Sequence, residues 1–215
     1  MVDFGARSDV PTISADESGQ LLERYGPLAQ AVRGLIDATI RTQADEATVR
    51  EVTAQVQQLT ERLRAGTLSE SPGLRYVVDG RPLAWGNAVV GLRNPIAPPL
   101  VIQHGENGHC WADFHLGAAY EGPPSLVHGG VSALVLDHVL GEAASDGLTK
   151  PNYTGTITVK YLRGTPLGPL HAEASIYRRD GVKTYARGHI SDADGVTVEA
   201  DGVFITPSWA RDTVD

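Results

Sequence analysis

The sequence predicts an α+β fold in which an antiparallel sheet wraps one apolar helix, and three observations carry that prediction. Four strand-like runs, YTGTITVKYLRG, LHAEASIYRRD, VKTYARGHISD and VTVEADGVFIT, follow one another with turns at GTPLGP, DG and DADG. One stretch ahead of them, VSALVLDHVLGEAA, is strongly apolar and long enough for a helix. Before it, LVIQHG and HCWADFHL alternate or run apolar around Gly105 to Gly108, as a hairpin does. A single helix beside such strands makes a two-layer domain whose sheet curls over the helix.

The elements N-terminal to that domain read differently. Residues 1–20 are polar and aperiodic and are expected to form a mobile tail. From Leu21 to Arg64 the pattern is helical. Leu28, Val32, Leu35 and Ile36 recur at three and four residue spacing, and Val49, Val52, Val56, Leu59 and Leu63 do so again. Thr42 to Asp45 separates the two runs, so residues 21–70 read as an amphipathic helical pair packed on the main domain or on a partner chain. The segment AGTLSESPG breaks the pattern, and the main domain is placed at 75–207.

Composition narrows the class of function. A chain of 215 residues, 41% hydrophobic and 20% charged, suits one core-bearing domain with an extension, or two very small domains. No run approaches the roughly 18 apolar residues of a membrane helix. MVDFGARSDVPTIS lacks the apolar core of a signal peptide, so a cytoplasmic protein is expected. The net charge of −8 disfavours nucleic acid and anionic membrane as partners. Between Lys150 and Arg187, however, seven basic residues face two acidic ones, which suits a polyanionic small molecule. Cys110 is the only cysteine, which excludes an intrachain disulfide and a multi-cysteine zinc site and reads as a small strand residue.

The chemistry concentrates in EGPPSLVHGGVSALVLDHVLG. His128, Gly129 and Gly130 open the helix, where free N–H groups and the helix dipole favour negative charge and glycine lets a carbonyl approach the backbone. That is an oxyanion-hole design for acyl transfer, with Gly129 or Gly130 N–H as donor. Asp137 is the only ionisable residue besides His138 between Gly129 and Gly141, and a carboxylate in so apolar a helix is costly unless paired or used. Gly130, Ala133, Asp137, Gly141 and Ala144 share its face, so space surrounds it. At about 1.5 Å rise per residue Gly129 and Asp137 stand about 12 Å apart on one helix. One helix therefore cannot bring both to one carbonyl. Two helices packed antiparallel about a two-fold axis can, which predicts an obligate dimer with two composite sites.

HGG with an Asp nine positions after the His, one long helix and a terminal run of strands resembles the hotdog-fold acyl-CoA thioesterases, specifically the phenylacetyl-CoA thioesterase-like branch. The resemblance covers about residues 75–207. It implies a hotdog homodimer, often paired into homotetramers, that hydrolyses acyl-CoA thioesters across the dimer interface. It also implies that Asp137 acts as general base or nucleophile and that Gly129 N–H polarises the carbonyl. Relatives carry a Ser or Thr seven residues before the strand tyrosine, and counting back from Tyr161 gives Thr154, which would orient water or carboxylate. Where many relatives have an amide, this chain has Glu121, which would perturb Asp137 if the two approach.

His128 reads as a loop-orienting residue or, second to Asp137, as the general base, and Gly130 and Glu121 as substrate-binding residues. Lys160, Arg163, Arg178 and Arg179 are the candidate phosphate ligands for CoA. His104, His109, His115, His138, His171 and His189 show no metal-ligand spacing, and Ser125 and Ser132 lack a nucleophile elbow, so no metal, redox cofactor or serine chemistry is expected. Two alternatives remain on sequence: a non-catalytic acyl-CoA-binding hotdog regulator, and an enoyl-CoA hydratase.

Overall fold

The computed structural model describes residues 12–67, 76–79, 81–83, 85–98 and 100–213. Two helices come first: α1 (Ala15–Arg41) and α2 (Glu46–Arg64). A two-strand ribbon, β1 (Val77–Val78) and β2 (Arg81–Pro82), which the sequence reading did not anticipate, leads into β3 (Gln103–His104) and β4 (Cys110–Leu116). Then come α3 (Gly129–Ala144), β5 (Tyr153–Tyr161), β6 (Gly168–Asp180), β7 (Lys183–Asp192) and β8 (Gly195–Ile205). β3 to β8 form one antiparallel sheet in the order β3-β4-β6-β7-β8-β5. α3 packs on β4 to β8, which is the hotdog arrangement.

Helix α1 starts at Ala15, six residues earlier than its apolar periodicity does. Ser14 accepts from Glu17 N–H while the Glu17 carboxylate accepts from Ser14 N–H, so a capping box sets the start. Periodicity marks only the buried face of a helix and is blind to a polar first turn. Part of the expected tail, residues 1–11, and most of the expected break, residues 68–73, lie outside the described residues.

The core forms where a period-two sheet meets a helix buried on most sides. Cys110, Ala112, Phe114 and Leu116 alternate inward along β4, as do Leu170, Ala172 and Ala174 on β6. Val135, Leu136, Val139 and Leu140 of α3 meet them, fully buried. The floor under the helix mixes small residues, including Ala112, Ala172, Ala186 and Ala200, with larger ones such as Phe204. At Gly202 an added Cβ would lie 2.5 Å from the Phe204 ring and 3.0 Å from Leu140 Cδ2, so that position has no room for a side chain. The helix is seated close to the sheet, and its register is thereby fixed. Cys110 belongs to this core. Its Sγ donates to the Val139 carbonyl at 3.3 Å, and burial, with the nearby Glu142 charge, pushes the thiol up to about 12, so it is no nucleophile at neutral pH.

Among the described residues Glu142 is the charged residue buried in the fold. Glu142, 6% exposed, holds His104 Nε2 at 3.0 Å, while His138 Nε2 lies 3.3 Å away but outside hydrogen-bonding direction. Burial alone would raise this carboxyl; the His138 and His104 imidazoles outweigh it and leave the group below its ordinary value. His104 is half of the two-residue strand β3, so this pair ties the sheet edge to α3. Replacing Glu142 with Ala should cost on the order of 2 kcal/mol in urea denaturation at pH 7. Because the folded carboxyl is the stronger acid, its contribution is complete above the unfolded value near about 4.3 and is lost as pH falls through the folded one. Below about pH 4.5 the parent should therefore lose stability more steeply than Glu142→Gln; parallel slopes would contradict this.

Candidate functional site

The site is built at the start of α3. The preceding loop is held by its own backbone: Val127 N–H donates to Thr165 O at 2.8 Å and His128 N–H to Tyr120 O at 2.9 Å. Within it Glu121 accepts from Ser125 N–H at 2.6 Å, and Ser125 adopts a left-handed φ of 64°. Inside one protomer the Glu121 carboxylate thus serves the loop turn.

His128 is the N-cap of α3, and its Nδ1 accepts from Gly130 N–H at 3.0 Å. That contact assigns the ring proton of neutral His128 to Nε2. It also separates the two glycines. Gly130 N–H is occupied, whereas Gly129 N–H, at the first helical position, has no intrahelical acceptor and takes part in no hydrogen bond among the described residues. Gly129 itself is clamped from above: Tyr161 Oη donates to its carbonyl at 2.8 Å, and an added Cβ would lie 3.3 Å from the Tyr161 ring and hydroxyl. In the sequence Tyr161 stands out only as the strand tyrosine from which Thr154 is counted. Its alternating place on an edge strand gave no sign that its hydroxyl reaches a residue 32 positions earlier.

Two turns further along α3, half-buried Asp137 accepts from Thr154 Oγ1 at 2.9 Å. Thr154 stands at the start of β5, where the pairing with β8 slips between Thr154 and Thr156. A bulge there turns the strand locally and re-aims its side chains. The free N–H of Gly129 and the carboxylate of Asp137 remain about 12 Å apart along the helix.

The basic candidates are not gathered into one cluster. Lys160 pairs across to Glu199, while Arg178 and Arg179 pair across to Tyr185 and Thr184 near the other end of the sheet. Three strand spacings and four residues along the strands separate Lys160 from Arg178, roughly 20 Å in all. The Arg163 guanidinium grips Asp192 with both nitrogens and adds the Gly195 carbonyl at 2.9 Å. Arg178 pairs with Asp180 and lies over the Tyr185 ring. Arg178, Arg179 and Lys150 border an open recess of about 410 Å³. Among the described residues no group of three His, Cys, Asp or Glu side chains is placed to hold a metal ion, and no helix is long and apolar enough to cross a membrane.

The extension reaches this region. α1 packs on the short turn Ala118–Tyr120, whose Tyr120 carbonyl receives His128 N–H, and Arg33 of α1 donates to Asn94 O at 3.1 Å. A recess of about 250 Å³ lies between α1 and the 115–120 segment, bordered by Ile36, Ile96, His115 and Tyr120.

Comparison with known proteins adds to this geometry. The profile of the thioesterase superfamily matches residues 125–199, which span the HGG loop, α3, β5 to β7 and the first five residues of β8. Among solved structures, the thioesterase superfamily protein RHA08564 is 33% identical with a TM-score of 0.76, covering 84% of this chain and 90% of its own. A putative thioesterase of Ralstonia eutropha JMP134, described as phenylacetic acid degradation-related, is 22% identical with a TM-score of 0.46 over 50% of this chain and 84% of its own. Protein BH2602 of Bacillus halodurans, crystallised with CoA, is 23% identical with a TM-score of 0.40 over 44% of this chain and 68% of its own. No curated protein matches the sequence.

The capping geometry is directly testable. His128→Ala should cost about 1 kcal/mol in thermal or urea unfolding, whereas His128→Asn, which keeps an N-cap acceptor, should stay within a few tenths of the parent. Equal losses in both would mean that the Gly130 contact contributes nothing.

Proposed function

The chain belongs to the thioesterase superfamily, and on that premise we propose that it hydrolyses the thioester of an acyl-CoA, as the phenylacetyl-CoA thioesterase-like branch does. The observation that carries the reading is the hydrogen bond from Thr154 to Asp137, which fixes a carboxylate on the small-residue face of α3. It is joined by the unspent N–H of Gly129 at the positive end of the same helix.

The thioester carbonyl accepts from Gly129 N–H of one protomer, and Asp137 comes from the α3 of a second. The free edge of β5 and the exposed Leu134, Tyr153 and Tyr161 give that second protomer a surface to cover. As general base, Asp137 takes a proton from water as the water oxygen bonds to the carbonyl carbon, and negative charge on the carbonyl oxygen is held by Gly129. Collapse breaks the C–S bond, and the proton on Asp137 passes to the departing thiolate, giving free acid and CoA thiol. As nucleophile, the carboxylate instead attacks the carbonyl carbon and expels CoA thiolate to form a mixed anhydride; water then opens it at the Asp137 carboxyl carbon, releasing free acid, restoring the carboxylate and leaving a proton for the thiolate. In both routes Thr154 holds the reacting oxygens of Asp137 in line. His128 positions the glycine loop, and Glu121 does so from the other side. No metal or redox group is needed for either route.

For the CoA phosphates, Lys160 lies next to the strand tyrosine that clamps Gly129, whereas Arg178 and Arg179 border a separate recess and Arg163 is engaged by Asp192. We assign the first contact to Lys160 and the outer one to the Arg178 and Arg179 pair of the opposing protomer.

Thiol release over a panel of acyl-CoAs, from acetyl to palmitoyl with phenylacetyl and benzoyl included, tests the reading. Asp137→Asn should lower kcat by at least about 100-fold, and Thr154→Val by about 10-fold with KM little changed, while Thr154→Ser retains most activity. Full turnover in a folded Asp137→Asn variant would contradict the assignment, as would saturable CoA-ester binding by the parent with no turnover of any ester. A single turnover in H₂¹⁸O separates the routes. The base route labels the acid at once, and the nucleophile route first delivers unlabelled oxygen from Asp137.

A further inference from the structure

Helix α2 has no buried residue and makes no substantial contact with α1, α3 or the sheet. Its 19 residues include six β-branched ones, Thr48, Val49, Val52, Thr53, Val56 and Thr60, which lower helix propensity. Isolated helices of this length are marginal in water even when rich in alanine, so a helix of this composition needs a packing partner.

The exposed apolar residues identify the partner's shape. Val49, Val52, Val56, Leu59 and Leu63 follow strict 3-4-3-4 spacing, and four of them are 41 to 54% exposed. A stripe of only a and d positions is the narrow seam of a coiled coil, not the broad face that a helix lays on a sheet. The positions flanking that seam decide between a foreign helix and a second copy. They are Thr48, Thr53, Gln55 and Thr60 through the middle, none of them charged, so identical helices meet without like-charge repulsion. The ends are opposite in sign: Asp45 and Glu46 at the start, the latter also paired with Arg50, and Arg62 and Arg64 in the last turn, the latter also paired with Glu61. An antiparallel pairing sets each acidic start beside the basic end of the other copy and opposes the two helix dipoles.

We propose that α2 is a self-association helix that pairs antiparallel with α2 of a second copy of this chain, about a two-fold axis near Val56. The contact rests on none of the residues assigned to thioester hydrolysis. Its failure would leave that reading standing, and the reverse also holds.

Cysteine cross-linking of the full-length protein tests it, because the buried native Cys110 is unreactive at pH 8. About an antiparallel axis Val56 faces its own symmetry mate, within the roughly 4.4 to 6.8 Å Cα separation a disulfide spans. Val49 instead lies opposite Leu63. Under mild oxidation Val56→Cys should become a covalent dimer on a non-reducing gel, at least about five-fold more than Gln58→Cys on the polar face. Val49→Cys alone should stay at the Gln58→Cys level, and the Val49→Cys, Leu63→Cys double variant should cross-link. No excess for Val56→Cys over Gln58→Cys, with unchanged helical circular dichroism, would overturn self-association. Efficient cross-linking of Val49→Cys alone would overturn the antiparallel arrangement. Adding Val52→Glu and Leu59→Glu to Val56→Cys should abolish its cross-link; a cross-link that survives both charges would show that the seam does not mediate it.

Discussion

The close seating of α3 on an alanine and glycine floor is the constraint from which the other features follow. Because Ala112, Ala172, Ala186, Ala200 and Gly202 leave room between larger side chains such as Phe204, α3 lies close to the sheet, buries Val135, Leu136, Val139 and Leu140 and cannot slide or rotate without opening a void or a clash. That fixed seating orients everything the helix carries. Its N-terminus meets Tyr161 at one end of β5, Asp137 meets Thr154 near the other, and Glu142 meets His104 at the far edge of the sheet. A reactive carboxylate and an oxyanion donor can be held in place only on an element that does not move.

The same rigidity imposes a separation. Gly129 N–H and Asp137 are fixed about 12 Å apart, so no rearrangement within one protomer brings them to a single carbonyl. The free edge of β5 lies beside both groups. The proposed chemistry therefore calls for a second protomer, and the exposed Leu134, Tyr153 and Tyr161 offer it a surface. α2, with its own seam, is a different surface, set on the extension and away from these residues.

Much of this was legible in the sequence, and what escaped has physical causes. β6, β7, β8 and the Gly105 to Gly108 hairpin show themselves because burial alternates along their strands, α3 as an unbroken apolar run, and β5 by its β-branched and aromatic residues. The start of α1 did not, because a capping box of Ser14 and Glu17 carries no apolar signal. β1 and β2 did not, because two residues are too few to show a period. At the site, His128, Gly129, Asp137 and Thr154 stand out by residue type and spacing. Which glycine keeps a free N–H depended on a side-chain contact, His128 to Gly130, that spacing alone does not specify. The engagement of Arg163 by Asp192 and of Glu121 by Ser125 was likewise invisible, since charge is read from sequence and pairing is not.

The proposed composite site can be tested by complementation between two variants that each lack one half of it. Gly129→Pro removes the N–H at a first helical position, where proline fits the backbone torsions and the Tyr161 ring must give by a few tenths of an ångström, and Asp137→Asn removes the carboxylate. When the two chains are co-expressed, half the dimers should pair one of each and rebuild one intact site of two, restoring about a quarter of the parent's thioesterase turnover from two inactive parents. Mixed dimers that form but stay inactive would show that both groups act within one chain, and would contradict the account.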